Sequence, residues 1–230
     1  MKKIILIISI ILIVITLIVV TLLILNKTNN FPGKQKFKHH FFNDLPYLDK
    51  PIIYVYPKEK TQINIKLGYP ENLTCVYPKY NNAWNITAYP DGTLIDENTK
   101  REYYSLYYES INLKKYNESL DEGFIISKQN ITTFLEDKLK LLGLNDKEAQ
   151  EFIIYWLPKL QKYNYIYIRF QTLNEIKHNM PLEISPKPDT LIRIMMEWKG
   201  LNNSMNIKEQ QLTPITRSGF TVVEWGGTEI

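Results

Sequence analysis

The 230-residue chain carries 28 basic and 24 acidic side chains, a formal net charge of +4, but the excess lies in its first forty residues. All acidic residues stand at Asp44 or later, so residues 41–230 hold 22 basic against 24 acidic groups. A nearly neutral body argues against nucleic acid as a partner, and a single cysteine, Cys75, excludes an intramolecular disulfide.

Residues 4–25 form an uncharged run in which only Ser9, Thr16 and Thr21 are polar. As a helix the run spans about 33 Å against a hydrocarbon core of about 30 Å, which predicts a transmembrane anchor over residues 1–25. The rival is a cleaved signal peptide, whose apolar region is normally about 7–15 residues and ends at a small-residue site, which "LNKTNNF" does not offer.

Residues 26–48 are polar and basic and read as a stem suited to anionic lipid headgroups. Lysines flank the run on both sides, so the positive-inside count leaves orientation open. Six N-x-S/T sequons, at Asn26, Asn72, Asn85, Asn117, Asn130 and Asn202, place the bulk outside the cytoplasm if they are used. The expected protein is thus single-pass and membrane-bound, with the lipid bilayer as one partner and its bulk extracytoplasmic.

From residue 49 to 230 one domain is expected. "PIIYVYP", "TQINIKLGYP", "NLTCVYP" and "AWNITAYP" are β-branched or aromatic runs that stop at Tyr-Pro, where a ladder lacks a donor. "PDGTL" is a turn, and "REYYSLYYE" makes a fifth strand. Their spacing predicts an antiparallel meander or half of a sandwich. Cys75 is expected as a small core residue of its strand.

A helix hairpin follows. Ile131, Phe134, Leu135, Leu139 and Leu142 have helical spacing, with Gly143 as C-terminal cap. Asn145 and Glu148 suit a capping box ahead of the stripe Ala149, Phe152, Ile153, Trp156 and Leu160, which Pro158 kinks or ends. The fold class expected is therefore α+β: a transmembrane helix, then an antiparallel sheet with a central helix hairpin.

The late strands each show an aliphatic face and a polar one. "YIYIRFQ" sets Ile166, Ile168 and Phe170 against Tyr165, Tyr167 and Arg169. "TLIRIMMEW" sets Ile192, Ile194, Met196 and Trp198 against Leu191, Arg193, Met195 and Glu197. Arg193 and Glu197 lie about 13 Å apart along a strand and cannot pair. In a chain with only four arginines, Arg169, Arg193 and Arg217 are candidates to bind a carboxylate, phosphate or sugar, and the bland alternative is a solvated face. The last strand, Phe220 to Trp225, puts Glu224 on the side of Phe220 and Val222, which adds Glu224 and Trp225 to the ligand-binding candidates.

Phosphate loops, nucleophile elbows and dinucleotide fingerprints are missing, so no cofactor is expected. His178 has no second ligand at a useful spacing, so no metal is expected either. A catalytic reading would use Glu224 with Glu109 or Asp189 as paired carboxylates on a glycan, provided they face each other at about 5–10 Å. The structural alternative is a partly buried Glu224 held by Arg193 or Arg217.

"KPIIYVYPKEKTQINIKL", "WNITAYPDGTL", "EYYSLYYE", "LGLNDKEAQEFIIYWLPKL" and "GFTVVEWGG" together resemble a family of bacterial and some eukaryotic hypothetical proteins. That family carries K-P-V-I-Y-L-Y-P, P-D-G-T-L, a Y-L-F-W-E-like strand, Y-W-L-P and a terminal G-F-T-V-V-E-W-G-G in this order. The resemblance implies that residues 50–227 are one unit and sets Glu109, Trp156, Pro158 and residues 219–227 at motif positions. It departs at Tyr107-Tyr108, where the family pattern has Phe-Trp, and it implies no mechanism. The function expected is a binding or scaffolding module for a protein or glycan, with a membrane-anchored hydrolase as the alternative.

Overall fold

The computed structural model describes residues 47–111 and 119–230. In chain order the elements are β1 (Tyr47–Tyr56), β2 (Thr61–Leu67), β3 (Leu73–Tyr77), β4 (Trp84–Ala88), β5 (Leu94–Asp96), β6 (Glu102–Tyr103), β7 (Leu106–Ile111) and β8 (Glu122–Ser127). Then come α1 (Ile131–Leu141), α2 (Asp146–Leu160), β9 (Tyr165–Phe170), α3 (Leu173–Asn179), β10 (Leu182–Ser185), β11 (Thr190–Leu201), β12 (Lys208–Glu209) and β13 (Thr221–Glu229).

Period-two alternation sorts these strands into two sheets and two apolar layers. The larger sheet runs β12-β8-β9-β11-β13-β1-β7-β3, the smaller β10-β2-β4-β5-β6. One face of the larger sheet, with Ile52, Ile168, Ile194, Trp198 and Trp225, packs on α1 and α2 through Leu135, Leu139, Phe152 and Trp156. The other face, with Ile53, Val55, Leu106, Met195 and Val222, packs on the smaller sheet through Ile65, Trp84, Ile86 and Leu94 and on Ile176 of α3. The order is helices, large sheet, small sheet.

The helix hairpin is locked by its caps. Gly143, at φ 90, takes the left-handed position after α1, where its N–H bonds Lys140 O and that of Leu144 bonds Leu139 O, a Schellman closure. Asn145 Oδ1 accepts the Glu148 N–H at 2.9 Å, and Glu148 Oε2 accepts the Asn145 N–H at 3.0 Å. A cap of this kind contributes about 1 kcal/mol. Pro158 falls in the last turn of α2, which ends two residues later.

The expected fold class needs correction. The described part is mostly β, with two sheets and three helices, and the sheets do not follow the meander. Strands β1, β3 and β7 belong to the larger sheet, while β2, β4, β5 and β6, interleaved in sequence, join β10 in the smaller. Tyr-Pro steps mark where strands stop, but carry no information on which strands pair.

Nor is the pairing wholly antiparallel: β13 runs parallel to β11, and β12 parallel to β8. Residues 202–220 return the chain across the helix side, where Leu212 and Ile215 pack on the core, so that β13 enters in the same direction as β11. Among the described residues no helix is long and apolar enough to cross a membrane, and the expected anchor and most of the stem lie outside the described residues. Cys75 is exposed and not a core residue: on the edge strand β3 it is the neighbouring Val76 that packs on the core.

Candidate functional site

Glu224 lies in the middle of β13, on the face turned to the smaller sheet, and solvent does not reach it (0%). The parallel register sets it directly beside Arg193 of β11, which is 4% exposed. Residues so paired project to the same side, and Arg193 Nε donates to Glu224 Oε2. The other carboxylate oxygen, Oε1, accepts the Tyr108 hydroxyl of β7 at 2.7 Å. Tyr108 reaches it because Leu106, Tyr108 and Ser110 form the inward side of β7, which alternates buried and half-buried residues. Arg193 Nη2 is buried without a partner among the described residues.

Burial and charge shift the protonation equilibria of Tyr108 and Arg193. Burial holds the Tyr108 hydroxyl well above its ordinary pKa, and the Glu224 carboxylate adds to the shift. Burial pulls Arg193 down, but the charge of Glu224 and the Tyr108 hydroxyl outweigh it and leave the guanidinium raised. Arg193 therefore stays charged and Tyr108 stays protonated at any ordinary pH.

Tyr108 also lines a surface cleft of about 300 Å³. The cleft opens between β7, the turn after β2 and the end of α3, with Leu67, Leu73, Met180 and Pro181 as apolar wall and Ser110 and Asn179 as polar wall. Met180 Sδ lies 3.9 Å from the Tyr108 hydroxyl, so both side chains belong to the inner end of the cleft. The turn is pinned where the Gly68 N–H donates to Pro181 O at 2.7 Å, and a Cβ on Gly68 would lie 2.7 Å from the Pro181 ring. Across the rim the Tyr69 hydroxyl donates to the His178 carbonyl at 3.5 Å.

The other candidate arginines are not brought to Glu224. Arg169 on β9 donates to Glu197 at 2.9 Å and to Glu175 at 2.7 Å, and Gln171 completes the Glu197 carboxylate at 2.9 Å. Arg217 donates to Gly143 O at 2.6 Å and to both oxygens of Glu148, 3.2 Å to Oε1, with its guanidinium 5.7 Å from the Tyr56 ring centroid. Three arginines thus serve three separate carboxylate sites. Trp225 is fully buried on the helix side, edge-on to Phe152 at 5.2 Å.

Nor are the three candidate carboxylates assembled. Glu109 lies on the helix side of β7, where it accepts the Tyr107 hydroxyl and stands across from Cys75 of β3. Tyr108, its neighbour, points to the opposite layer with Glu224. Asp189 precedes β11 at the surface, accepts the Phe220 N–H at 2.7 Å and pairs with Lys58 at 3.2 Å. Asp189 stands four positions before Arg193, about 13 Å along the chain direction from the level of Glu224. Of the sequons, Asn85, Asn130 and Asn202 are exposed, Asn72 is half-buried at the cleft, and Asn26 and Asn117 lie outside the described residues. Among the described residues no three His, Cys, Asp or Glu side chains are grouped to hold a metal ion.

Sequence reasoning missed Tyr108, Glu148 and Met180. Glu148 is fully buried, and a signal existed: it precedes Phe152 and Trp156 at intervals of four on the buried stripe of α2. Met180 carries no such signal, since its place follows from where α3 ends. Comparison with family models, curated proteins and solved structures finds no match.

Proposed function

We propose that the domain is a binding or scaffolding module whose ligand surface is the cleft above Tyr108. The observation that carries this reading is the enclosure of Glu224. The carboxylate that sequence marks for acid–base work is sealed from solvent with both oxygens taken, while the concavity beside it offers apolar walls, neutral hydrogen-bonding groups and the Glu71 carboxylate. Mostly apolar pockets with a few fixed polar groups are the usual form of a ligand site. Glu224 acts through Tyr108, which it holds as the floor.

The alternative, a glycan hydrolase, has less support. It needs two carboxylates facing one substrate at about 5–10 Å, whereas Glu109 and Glu224 lie on opposite faces of the larger sheet. Membrane attachment of the module rests on residues 4–25 and the sequons alone, and retention of the full chain in membranes after alkaline extraction tests it.

Glycoside hydrolysis by the full chain, with Glu224→Gln alongside, tests the binding reading. Turnover by neither protein is the expected result. Turnover by the native chain, abolished in a folded Glu224→Gln variant, overturns it.

A further inference from the structure

The charge around the cleft restricts what it takes. Its walls are apolar on Leu67, Leu73, Ile111, Met180 and Pro181, and its hydrogen-bonding groups other than Glu71 are neutral. Among the described residues Glu71 is the one charged residue lining it, and no lysine, arginine or histidine side chain does. Glu71 is exposed, in the short 3₁₀ turn Pro70–Asn72. Below the floor, Arg193 and Glu224 cancel each other at contact distance, so the buried network adds little net field. Among the described residues an anionic ligand would meet a carboxylate and no compensating cation at the cleft.

We propose, resting on the reading of this cleft as the ligand surface, that it takes a small amphiphile with an apolar body and a cationic amine head. The body lies against Leu73, Met180 and Pro181, and the head meets Glu71 at the mouth. Ser110 and Asn179 supply neutral hydrogen bonds between the two. The volume of about 300 Å³ is at the lower end for ligand pockets, which favours a small molecule or a single side chain over a drug-sized body.

Benzylamine, benzyl alcohol and benzoate share one apolar body and differ in the charge of the head. Equilibrium dialysis of each against the purified full chain tests the proposal. Benzylamine is expected to be retained about threefold over the alcohol and about tenfold over benzoate, as one exposed charge allows. Glu71→Gln should bring the amine down to the alcohol, and Glu71→Lys should reverse the order toward benzoate; both changes are at the surface and leave the fold intact. Met180→Trp, which fills the cleft, should lower retention of all three.

Benzoate retained as well as benzylamine, or an amine preference unmoved by Glu71→Lys, overturns the cationic class. If Met180→Trp still abolishes retention in that case, the cleft stands as the ligand surface. If none of the probes is retained by the native chain, both the class and the cleft fail.

Discussion

Arg193 and Glu224 stand opposite each other on two parallel strands and form an ion pair that solvent does not reach. Two isolated charges at that depth would each cost several kcal/mol, and about the same is recovered only because Tyr108 completes the carboxylate. The pair therefore adds little net stability but makes either partner hard to remove. It also fixes the position of Tyr108, which joins the core to the cleft.

Gly227 marks a close approach of elements within β13 and not a turn. A Cβ there would lie 2.7 Å from the Met196 carbonyl oxygen and 2.8 Å from Trp156 Cζ2. The strand cannot yield without disturbing its ladder to β11, so Gly227→Ala is expected to destabilise by about 1–3 kcal/mol. Urea unfolding with an unchanged m-value checks this.

Arg217 ties residues 202–220 to the turn between α1 and α2, and Glu148 beneath it is fully buried. Arg217→Gln leaves a buried carboxylate unpaired and is expected to cost about 3–5 kcal/mol. Adding Glu148→Gln removes that charge while its amide keeps the capping box, so the double variant should regain part of the loss. Equality of the double and single variants in chemical unfolding would show that the charge is not the cause.

Asp189 carries the acid dependence of the strand start. The Phe220 N–H, and after it Lys58, hold its carboxyl below the ordinary value of 3.8. A lowered folded pKa contributes stability that is fully present above the unfolded value, and that is lost as pH falls through the folded one. The Tm deficit of Asp189→Asn should therefore be constant from pH 7 to about pH 5 and shrink below about pH 4. A deficit that grows on acidification contradicts the assignment.

Local chemistry was legible in the sequence where a residue and its neighbours decide it. The Gly143 and Asn145 caps, the two faces of β11 and the placing of Glu224 with Phe220 and Val222 all follow from spacing within one element. Pairing was not legible, because it depends on which apolar faces meet. β1 and β2 are separated by one turn yet belong to different sheets, and residues 202–220 turn β13 parallel to β11.

The candidate site divides along the same line. Arg193 and Glu224 were nameable from their strands, with Arg193 and Arg217 as the two arginines that could hold the carboxylate. Tyr108 as the third member and Met180 beside it in the cleft wall depend on where β7 and α3 come to rest.

A double-mutant cycle on Arg193 and Glu224, read as unfolding free energy, tests the central claim most directly. Glu224→Leu alone and Arg193→Met alone should each cost about 3–5 kcal/mol, because each leaves one buried charge unpaired. The Arg193→Met/Glu224→Leu double variant should recover most of that loss. Losses that simply add in the double variant would contradict the pairing and, with it, Glu224 as the structural prop of Tyr108.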